Sequence, residues 1–434
     1  MSSGGRRRVA LLPSEPLRPQ MAGIGIRYLE LARRLPGHGL DVVLLTSGEV
    51  SEVPQTGLPE GAIRPFEAGR LKEILADCDV AVAQGQLAND LLYEVPDLPS
   101  VVDLYDPFLV ENFAYLGSLG LDPYRNDHAT WIHQMSRGDL FLCSCEEQRQ
   151  YYLGFLTAVG RINPHLLERD PDAADLIRVV PFGVPDRLPD HEPYLPPAPP
   201  GRKRLLFGGL YDWYDPWPVL EAMEACRDEP WSLLLIRNPN PGTPQTLFTE
   251  VETWCRRRGL WGESVEVLDW VPGARRYDLL RDVDLMVATH RASLETRLSL
   301  RTRFLDALAA GCPVVTTEGG AMSRLLQQHG AGWVVPEGRA DAVAGAFREI
   351  LQGAAEEGGT AEGDAEVEAR RAAGGRLLAD FTWDRVLAPL VEFCRDPAVE
   401  PTKAQFASRP ATAAPPDPFL FRLKRKARRL LGAT

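Results

Sequence analysis

The stretch RTRFLDALAAGCPVVTTEGG, residues 301–320, predicts a helix, a strand and the start of a second helix in quick succession. Its first half has the apolar spacing of an amphipathic helix and stops at Gly311, where a glycine commonly ends a helix. The β-branched run at 313–317 predicts a buried strand, which ends in Gly319-Gly320. Backbone N–H groups in such a turn, together with the dipole of the next helix, can hold an anion. We therefore expect a parallel α/β fold with a phosphate-binding turn, and a purely structural turn is the alternative.

The size and composition of the chain indicate a folded protein with two domains. It has 434 residues, of which 44% are apolar, and a net charge of −12. This negative charge argues against a nucleic-acid partner. The seven cysteines are scattered and odd in number, which favours reduced thiols and a cytoplasmic location. We expect neither a secretory signal nor a bilayer-spanning segment, since no apolar run approaches about 20 residues.

Strand-like runs alternate with helical patterns along most of the chain, which is typical of parallel sheets covered by helices. The runs lie at 9–12, 42–46, 80–83, 101–105, 140–144 and 177–182 in the first half, and at 204–209, 231–237, 265–270, 284–289, 312–317 and 333–336 in the second. The fold class that this order predicts is α/β, with two Rossmann-like doubly wound domains facing a cleft.

Composition also suggests where the domains begin and end. The expected units are a first domain at 1–188, a linker at 189–203, a second domain at 204–381, a helix at 382–395, and a linker with a basic tail at 396–434. The stretch between the domains is rich in proline, which stiffens a linker. The helix at 382–395 carries an apolar stripe, so we expect it to cover another surface of the protein.

The tail PFLFRLKRKARRLL, residues 418–431, has leucines on one face of a helix and six cations on the other. This pattern is typical of a helix that lies on an anionic membrane surface. We therefore expect a peripheral location at the inner face of the cytoplasmic membrane. A solvated basic tail or a contact with a partner protein is the alternative.

Ligands of open parallel sheets bind beyond the carboxyl ends of the strands, so the loop after each strand is a candidate site. After the first strand, Gly23 and Gly25 precede a helix that we expect from Ile26 to Leu35. A third glycine at the spacing of a dinucleotide fold is missing, which disfavours NAD binding. The loop is a candidate for contact with a diphosphate or a sugar, and a tight structural turn is the alternative.

Two further loops carry groups that suit sugars. Asp106 follows the strand at 101–105, and Pro107 keeps it extended, so its carboxylate can bond a hydroxyl or accept a proton. Gly209 leads into LYDWYDPW at 210–217, where aromatic faces and carboxylates suit a sugar ring. A helix cap and a packed domain interface, respectively, are the structural alternatives.

The loop from His290 to Arg303 is the most highly charged candidate. Besides His290 and Glu295 it contains four arginines, at positions 291, 297, 301 and 303. Cations beside a phosphate-binding turn make a polyphosphate site, and we expect Arg301 and Arg303 to be its main contacts. A solvated charged loop is the alternative.

Two Rossmann-like domains, a glycine loop after the first strand, the PVVTTEGG strand and turn, and a terminal helix that crosses back to the first domain resemble GT-B glycosyltransferases. The resemblance is to the family 4 type (glycosyl transferases group 1), and it spans about residues 8–395. The blocks DLYDP (103–107) and VVPFG (179–183) resemble a bacterial subgroup that is often found among cell-surface polysaccharide enzymes.

This resemblance, together with the loops described above, assigns a set of candidate donor contacts. They are Gly23 and Gly25 for the diphosphate, Trp270 and Val271 for the nucleotide base, Glu295 for the donor sugar and Asp306 for the ribose hydroxyls. Gly209, His290, Thr317, Gly319 and Gly320 complete the set. Taken together, the loops and the resemblance lead us to expect Asp106, Glu295, Arg301 and Arg303 nearest the reaction.

The sequence departs from the family pattern at three points. Glu295 and Asp306 are eleven residues apart, farther than the paired glutamates of the family. The arginine and lysine that usually follow the first strand of the second domain are missing, and Arg301 or Arg303 would supply their charge. In the first domain, Tyr105-Asp106 replaces the histidine that is common in the catalytic cleft.

The resemblance implies a hexosyltransferase-type enzyme that retains the anomeric configuration. Its partners would be a nucleotide-diphosphate sugar as donor and a glycan, a lipid-linked molecule or a small molecule as acceptor. We expect no cofactor besides the donor and no metal ion, because arginines and backbone amides would stabilise the charge of the diphosphate. A nucleotide-sugar epimerase on the same fold and a non-catalytic sugar-nucleotide-binding subunit remain open as alternatives.

Overall fold

The structure of the protein, a computed structural model, describes residues 5–238, 244–352 and 361–403. The basic tail predicted at 418–431, and the linker before it from residue 404 onward, lie outside these ranges. The described residues form two parallel sheets with helices packed against them.

The first sheet has seven parallel strands. They are β1 (Arg8–Leu12), β2 (Asp41–Thr46), β3 (Ile63–Pro65), β4 (Val80–Ala83), β5 (Ser100–Asp103), β6 (Leu140–Cys143) and β7 (Ile177–Val179). Their order across the sheet is β3-β2-β1-β4-β5-β6-β7. The central strands β1, β4 and β6 have the apolar cores VALL, VAVA and LFLC, as expected of strands that are buried on both faces.

The second sheet has six parallel strands. They are β8 (Lys203–Gly209), β9 (Trp231–Ile236), β10 (Val265–Leu268), β11 (Leu285–Ala288), β12 (Val314–Thr317) and β13 (Trp333–Val335). Their order is β10-β9-β8-β11-β12-β13, which is the doubly wound arrangement. The predicted fold class, two Rossmann-like α/β domains, is confirmed.

Seventeen α-helices accompany the sheets within the described residues, and none of these helices is both long and apolar enough to cross a lipid bilayer. Those that follow strands of the first sheet are α1 (Gly23–Arg34), α2 (Leu71–Ile74), α3 (Gly85–Glu94), α4 (Phe108–Glu111), α5 (Leu116–Leu119), α6 (Asp122–Arg137), α7 (Glu146–Ala158) and α8 (Pro164–Arg169). The others are α9 (Trp217–Ala225), α10 (Thr246–Arg258), α11 (Arg276–Arg281), α12 (Leu294–Leu298), α13 (Thr302–Ala309), α14 (Ala321–His329), α15 (Ala340–Gln352), α16 (Ala361–Leu378) and α17 (Trp383–Arg395). Short 3₁₀ helices lie at Leu35–His38, Val50–Glu52, Asn112–Tyr115 and Gly273–Arg275.

The winding of each sheet reverses beside its first strand, between β1 and β4 and between β8 and β11. Loops on either side of such a reversal diverge, which opens a crevice at the carboxyl end of the sheet. The loops after β1 and β4, and after β8 and β11, lie at these reversals, and the loop after β5 is the next one along the first sheet.

The terminal helix α17 crosses back to the first domain, as the sequence predicts. Thr382, just before it, forms a parallel bridge with Val184 beyond β7. Trp383 is fully buried, with its ring 5.0 Å from that of Phe182. Arg178 on β7 donates a hydrogen bond to the carbonyl of Pro389 in α17 at 2.7 Å. The apolar stripe of this helix thus covers the edge of the first sheet and ties the two domains together.

Replacing Gly183 with alanine should loosen this junction. A Cβ on residue 183 would lie 2.8 Å from the Cα of Trp383 and closer still to its ring, so the helix must move. Overpacking of this kind typically costs about 1–3 kcal/mol, which we expect as a lower free energy of unfolding in urea. Gly154→Ala on α7 is the control, because nothing lies within 4 Å of its added Cβ. Equal stability of the two variants would show that the junction tolerates the methyl group.

The sequence does not predict β3. This strand has only three residues, lies at the edge of the sheet and ends in Pro65. An edge position tolerates a proline, since the missing N–H faces no neighbour there. A strand this short shows no alternation that a sequence pattern could reveal.

Candidate active site

Two cavities lie side by side in the crevice between the domains. The first cavity has a volume of about 270 Å³ and is lined by Asp106 and Glu111 of the first domain and by Arg301 and Arg303 of the second. The second cavity has a volume of about 200 Å³. Gly23 and Arg303 line both cavities, which therefore share a wall. Residues from distant parts of the chain meet here because the carboxyl ends of the two sheets face each other.

The N-terminus of α1 holds an anion that belongs to the protein itself. The Glu15 carboxylate accepts hydrogen bonds from the N–H groups of Ala22, at 2.6 Å, and of Gly25, at 2.8 Å. A Cβ on residue 25 would lie 3.0 Å from Glu15 Oε2 and 2.8 Å from Met21 Cβ, so the glycine is needed for this contact. Burial raises the pKa of Glu15, while the two N–H groups act in the opposite direction.

The same turn leaves two N–H groups for another anion. The helix begins at Gly23, earlier than the start at Ile26 that the sequence predicts, because Glu15 satisfies part of the first turn. The N–H groups of Gly23 and Ile24 have no hydrogen-bond partner among the described residues, and both residues line the first cavity. Gly23 therefore faces the crevice, whereas Gly25 serves the internal carboxylate and lines neither cavity.

Arg303, on α13, brings a positive charge to the carboxyl end of β8. Its Nη1 donates hydrogen bonds to the carbonyls of Phe207, at 3.1 Å, and Gly209, at 3.3 Å. Gly208 has a φ of +85°, and a Cβ there would lie 3.1 Å from Nη1 of Arg303. None of the ion pairs formed by the described residues includes Arg303. The charge that the sequence lacks directly after β8 is thus supplied from a helix almost a hundred residues further on.

Arg301 and Glu295 neutralise each other. Nη1 and Nη2 of Arg301 each donate to one oxygen of Glu295, both at 2.7 Å, and both side chains are buried. Ser299 Oγ adds a third hydrogen bond to the same carboxylate, also at 2.7 Å. The Glu295 carboxylate is therefore fully engaged and lines neither cavity, which differs from the contact with a donor sugar that the sequence predicts. Arg301 still borders the first cavity, but its charge is already paired.

His290 contributes no charge to the crevice. Its ring is buried and packs nearly perpendicular to Tyr214, with the centroids 4.8 Å apart. Burial, followed by the charges of Arg301 and Arg303, lowers the pKa of His290 well below its usual value. The ring is therefore neutral at physiological pH, and its Nε2 has no partner in the described part of the chain.

The predicted convergence of all four arginines of this loop on one site does not occur. Arg291 pairs with Asp215 at 3.5 Å, and Arg297 points to the exposed side of α12. The short helical turns between these arginines point their side chains in different directions. The spacing of the charges along the chain does not predict this. Only Arg301 and Arg303 reach the first cavity.

The Gly319-Gly320 turn lines neither cavity. The N–H of Gly320 donates to Ser323 Oγ at 2.9 Å, so α14 is capped from within. Thr317 Oγ1 accepts from the backbone N–H of His290 at 2.9 Å and donates to its carbonyl at 3.1 Å, which ties β12 to the end of β11. One of the two amides that the sequence assigns to a phosphate, that of Gly320, is thus already bonded, and the structure does not bring this turn to the site.

Asp106 and Glu111 face the first cavity without a side-chain hydrogen-bond partner among the described residues. Burial, followed by the charge on Asp103, raises the pKa of Asp106 to about 7 against the effect of Arg27. Burial and then the charge on Asp106 raise the pKa of Glu111 well above its ordinary value. A carboxyl group that titrates near neutral pH, as Asp106 does, can both donate to and accept from sugar hydroxyls.

A buried ion pair fixes the backbone that carries Asp106. Arg27 on α1 is fully buried and meets Asp103 at the end of β5, with Nε 2.8 Å from Oδ2. Its Nη1 and Nη2 donate to the carbonyls of Pro181, at 2.9 Å, and Val180, at 3.0 Å. The pair thereby joins α1, β5 and the segment beyond β7 beneath the first cavity.

The second cavity is bounded by Gly209, Trp270 and Val271, and by Asp306 on α13. Oδ2 of Asp306 accepts a hydrogen bond from Arg276 Nε at 3.1 Å, whereas Oδ1 is buried with no partner among the described residues. A buried carboxylate oxygen of this kind is costly until a ligand or water satisfies it. The Trp270 ring packs close to the backbone at Gly209, where an added Cβ would lie 3.4 Å from it, in ordinary contact. The cavity thus offers an aromatic wall and a strong acceptor.

The loop after β8 turns its aromatic rings, not its carboxylates, to the first cavity. Tyr211 stacks on Trp213 with the centroids 4.7 Å apart, and both line the cavity. Asp212 between them instead accepts from the N–H of Leu247 at 3.3 Å. The Trp213 ring also meets Tyr115 of the first domain at 5.9 Å. The rings therefore line the cavity and pack the domain interface at once.

Direct contacts close the two domains on each other. Trp270 Nε1 donates to the carbonyl of Met21 at 3.3 Å, and the N–H of Gly273 donates to the carbonyl of Pro19 at 3.1 Å. Arg324 on α14 forms an ion pair with Glu147 on α7, with Nε 3.1 Å from Oε1. Closure of this kind shields a reaction from water.

Sequence reasoning missed Glu15 and Arg276 as residues of the site, and it gave Glu111 no role of its own. Glu15 lies in the loop after β1, which the sheet order marks as a ligand loop, and this was the available signal. Its partners, the N–H groups of residues 22 and 25, carry no side-chain signature. Glu111 follows Asp106 by about one helical turn, and Arg276 has no motif of its own.

Residues 203–353 match the family model described as Glycosyl transferases group 1. Among curated proteins, none matches the sequence significantly.

Solved structures of glycosyltransferases share the architecture over nearly the whole chain. Sucrose-phosphate synthase from Thermosynechococcus elongatus has 15% identity and a TM-score of 0.64, covering 90% of this chain and 98% of its own. HepE from Anabaena in complex with UDP-glucose has 16% identity and a TM-score of 0.59, with 89% and 98% covered. Trehalose 6-phosphate synthase from Burkholderia multivorans has 14% identity and a TM-score of 0.60, with 94% and 100% covered. At these identities the likeness is one of fold.

The strand order of both sheets, the facing cavities and the family match of the second domain lead to one conclusion. The chain has the GT-B fold, and residues 203–353 in its second domain match the family described as Glycosyl transferases group 1.

Proposed function

We propose that the enzyme transfers a sugar from a nucleoside-diphosphate sugar to an acceptor hydroxyl with retention of the anomeric configuration. The observation that carries this proposal is the wall between the cavities, where the unpaired guanidinium of Arg303 and the free N–H groups of Gly23 and Ile24 face the same space. A guanidinium and two helix N-terminal amides suit a diphosphate. The likeness in fold to HepE, solved with UDP-glucose, supports this class of donor.

The nucleoside would occupy the second cavity. Its base would lie against Trp270 and Val271, and a ribose hydroxyl would donate to the unsatisfied Oδ1 of Asp306. The diphosphate would cross the shared wall at Arg303. The donor sugar would then reach the first cavity, where Asp106 and Glu111 offer hydrogen bonds to hydroxyl groups.

The difficult step is departure of the nucleoside diphosphate while positive charge develops on the sugar. Arg303 and the amides of Gly23 and Ile24 would stabilise the growing negative charge, because they are already oriented before the reaction. The proposal uses no metal ion and no cofactor besides the donor. The group 1 match of the second domain supports retention, and the closed domains would keep water from hydrolysing the donor.

A panel of nucleotide sugars, screened first by thermal shift, tests this function, because a ligand that binds the native state raises the melting temperature. We expect one donor class to stabilise the enzyme and to release free nucleoside diphosphate only when an acceptor is present. Proton NMR of the product should show the anomeric configuration of the donor. An isomerised donor without nucleotide release would indicate an epimerase, and binding without turnover would indicate a non-catalytic subunit.

We expect acceptor use to depend on the ionisation of Asp106. Its pKa lies at about 7 in the folded protein, so the carboxylate that accepts a hydrogen bond from the acceptor hydroxyl is lost as the pH falls below that value. The kcat/KM for the acceptor should therefore decline on the acid side of about pH 7. Asp106→Asn should be slow at every pH and lack this decline, whereas the exposed Asp175→Asn should keep it. A decline that survives in Asp106→Asn would assign it to another group, with Glu111 and Glu15 as the nearest candidates.

The pathway and the membrane association are part of the same proposal. The bacterial subgroup that the sequence blocks resemble favours synthesis of a cell-surface polysaccharide or glycoconjugate. The six cations of residues 418–431 favour attraction to the inner face of the cytoplasmic membrane, at about 1 kcal/mol for each cation near an anionic surface.

Deleting residues 418–434 should lower the binding of the enzyme to anionic vesicles and leave its activity on a soluble acceptor intact. The reason is electrostatic, so the difference between full and shortened chains should shrink at high salt. Co-sedimentation with phosphatidylglycerol vesicles measures the binding of each chain. Equal sedimentation of the two chains at low salt would contradict a membrane role of the tail.

A further inference from the structure

Large apolar side chains are exposed together at one place on the first domain. We call this place the apolar ridge, and it consists of Phe113, Leu116, Leu119, Leu121 and Tyr124, which are 38–54% exposed. Ten large apolar side chains of the described residues are exposed, and half of them belong to this ridge. Soluble proteins rarely expose such clusters unless they bind something.

The apolar ridge begins where the first cavity ends. The chain leaves the end of β5 at Asp106, lines the cavity again at Glu111, and reaches its rim at Tyr115, whose ring meets Trp213 at 5.9 Å. The ridge residues follow at once on the 3₁₀ turn, on α5 and at the start of α6. A molecule that keeps a hydroxyl beside Asp106 and extends out past Tyr115 would therefore run over the ridge.

The ridge carries no charge of its own. Residues 112–121, NFAYLGSLGL, contain no acidic or basic side chain, unlike the strongly cationic tail at 418–431. Recognition here would rest on apolar contact, which needs no particular headgroup charge. The ridge is also held in shape, since the rings of Phe113 and Tyr124 contact each other at 5.8 Å.

We infer that the acceptor is an amphiphile, with its sugar or alcohol end in the first cavity and an apolar chain lying on the apolar ridge. This inference rests on the proposed transfer function and names the class of its acceptor. The continuity between the cavity and the ridge favours a single occupant that spans both. The exposed rings and leucines of the ridge would become buried only when such an apolar chain lies on them.

Alkyl glucosides of increasing chain length test the inference on the full chain. n-Hexyl and n-octyl β-D-glucoside, each below its micelle concentration, are titrated by calorimetry in the presence of the donor nucleotide. We expect about a threefold gain in affinity per methylene, or about tenfold between the two probes, because each buried CH₂ adds to binding. The same affinities in Leu116→Ser/Leu119→Ser should no longer depend on chain length. Both leucines are exposed, so this variant should remain folded.

Leu167→Ser is the matched control, because Leu167 is 40% exposed in the same domain but lies on α8, outside the ridge. It should keep the full chain-length dependence. Affinities that do not rise with chain length in the native enzyme would overturn the inference, and so would a dependence that survives in the ridge variant. A third outcome would assign the ridge to a membrane surface instead. In that case the native enzyme would bind neutral phosphatidylcholine vesicles, the ridge variant would not, and the chain length of the monomeric glucosides would have no effect.

The same variants separate this inference from the proposed function. Thermal shift with the nucleotide-sugar panel reports donor binding in the second cavity, which the ridge does not line. Donor binding without any chain-length effect would defeat the amphiphilic acceptor alone. A complete lack of nucleotide-sugar binding would defeat the transfer proposal, whatever the glucosides do.

Discussion

Arg303→Ala is expected to lower kcat by about 10²–10³-fold, the usual loss when one preorganised donor to a developing negative charge is removed. Arg303 lines both cavities, and no ion pair among the described residues uses its charge. Two backbone carbonyls, those of Phe207 and Gly209, hold its guanidinium in place. The charge is therefore both free and fixed, which is what stabilisation of a leaving diphosphate requires. Steady-state kinetics with the donor found in the screen measures the effect.

The stability of this variant should change little, because Arg303 is only half-buried and leaves no unpaired charge behind. Arg297→Ala is the control, since Arg297 lies on the same charged loop but is exposed. Arg303→Lys should recover only part of the activity, because an ammonium group cannot reproduce the planar fork of a guanidinium. A kcat for Arg303→Ala within threefold of the native value would remove Arg303 from the reaction.

Arg301→Ala is expected to lower the free energy of unfolding by about 3–5 kcal/mol, the usual cost of leaving a buried charge without its partner. Glu295 is 4% exposed and receives two hydrogen bonds of 2.7 Å from Arg301. After the substitution, among the described residues only the hydroxyls of Ser299 and Thr296 still donate to the buried carboxylate. The charge pattern alone suggests a mainly catalytic effect for this variant, whereas the pairing predicts a mainly structural one. Urea denaturation measures the difference.

A double variant separates these two readings. Glu295→Leu/Arg301→Met removes both charges and should recover most of the lost stability, because no unpaired ion remains in the interior. If Arg301 acts mainly on the donor, Arg301→Ala would instead unfold at the native urea concentration and lose turnover. That outcome would contradict a structural role of the pair.

The comparison between Arg301 and Arg303 shows what the sequence can predict about the site and what it cannot. Both arginines stand at the start of the same helix and look equivalent in the charge pattern. They differ in their partners: Arg301 pairs with the Glu295 carboxylate, whereas Arg303 donates hydrogen bonds to uncharged carbonyls at the end of β8. A pattern of charges along the chain predicts where cations concentrate, but not which of them remain unpaired.

The glycine turns show the same limit. Gly23-x-Gly25 and Gly319-Gly320 both have the sequence of an anion-binding turn. At the first, Glu15 takes the N–H of Gly25 and leaves that of Gly23 free, and at the second Ser323 takes the N–H of Gly320. Side-chain oxygens compete with a ligand for backbone amides, and their success depends on distances that only the folded chain sets.

The sequence by itself determined the alternation of strands and helices, the two parallel sheets and most of the loops that face the crevice, because these follow from apolar periodicity and from the geometry of parallel strands. Only the tertiary structure decided which groups in those loops are free to act. Glu15 occupies two N–H groups, Glu295 neutralises one arginine, and Asp306 keeps one unsatisfied oxygen. The physical reason is that ion pairing and burial are set by distances in space between residues that are far apart in the chain.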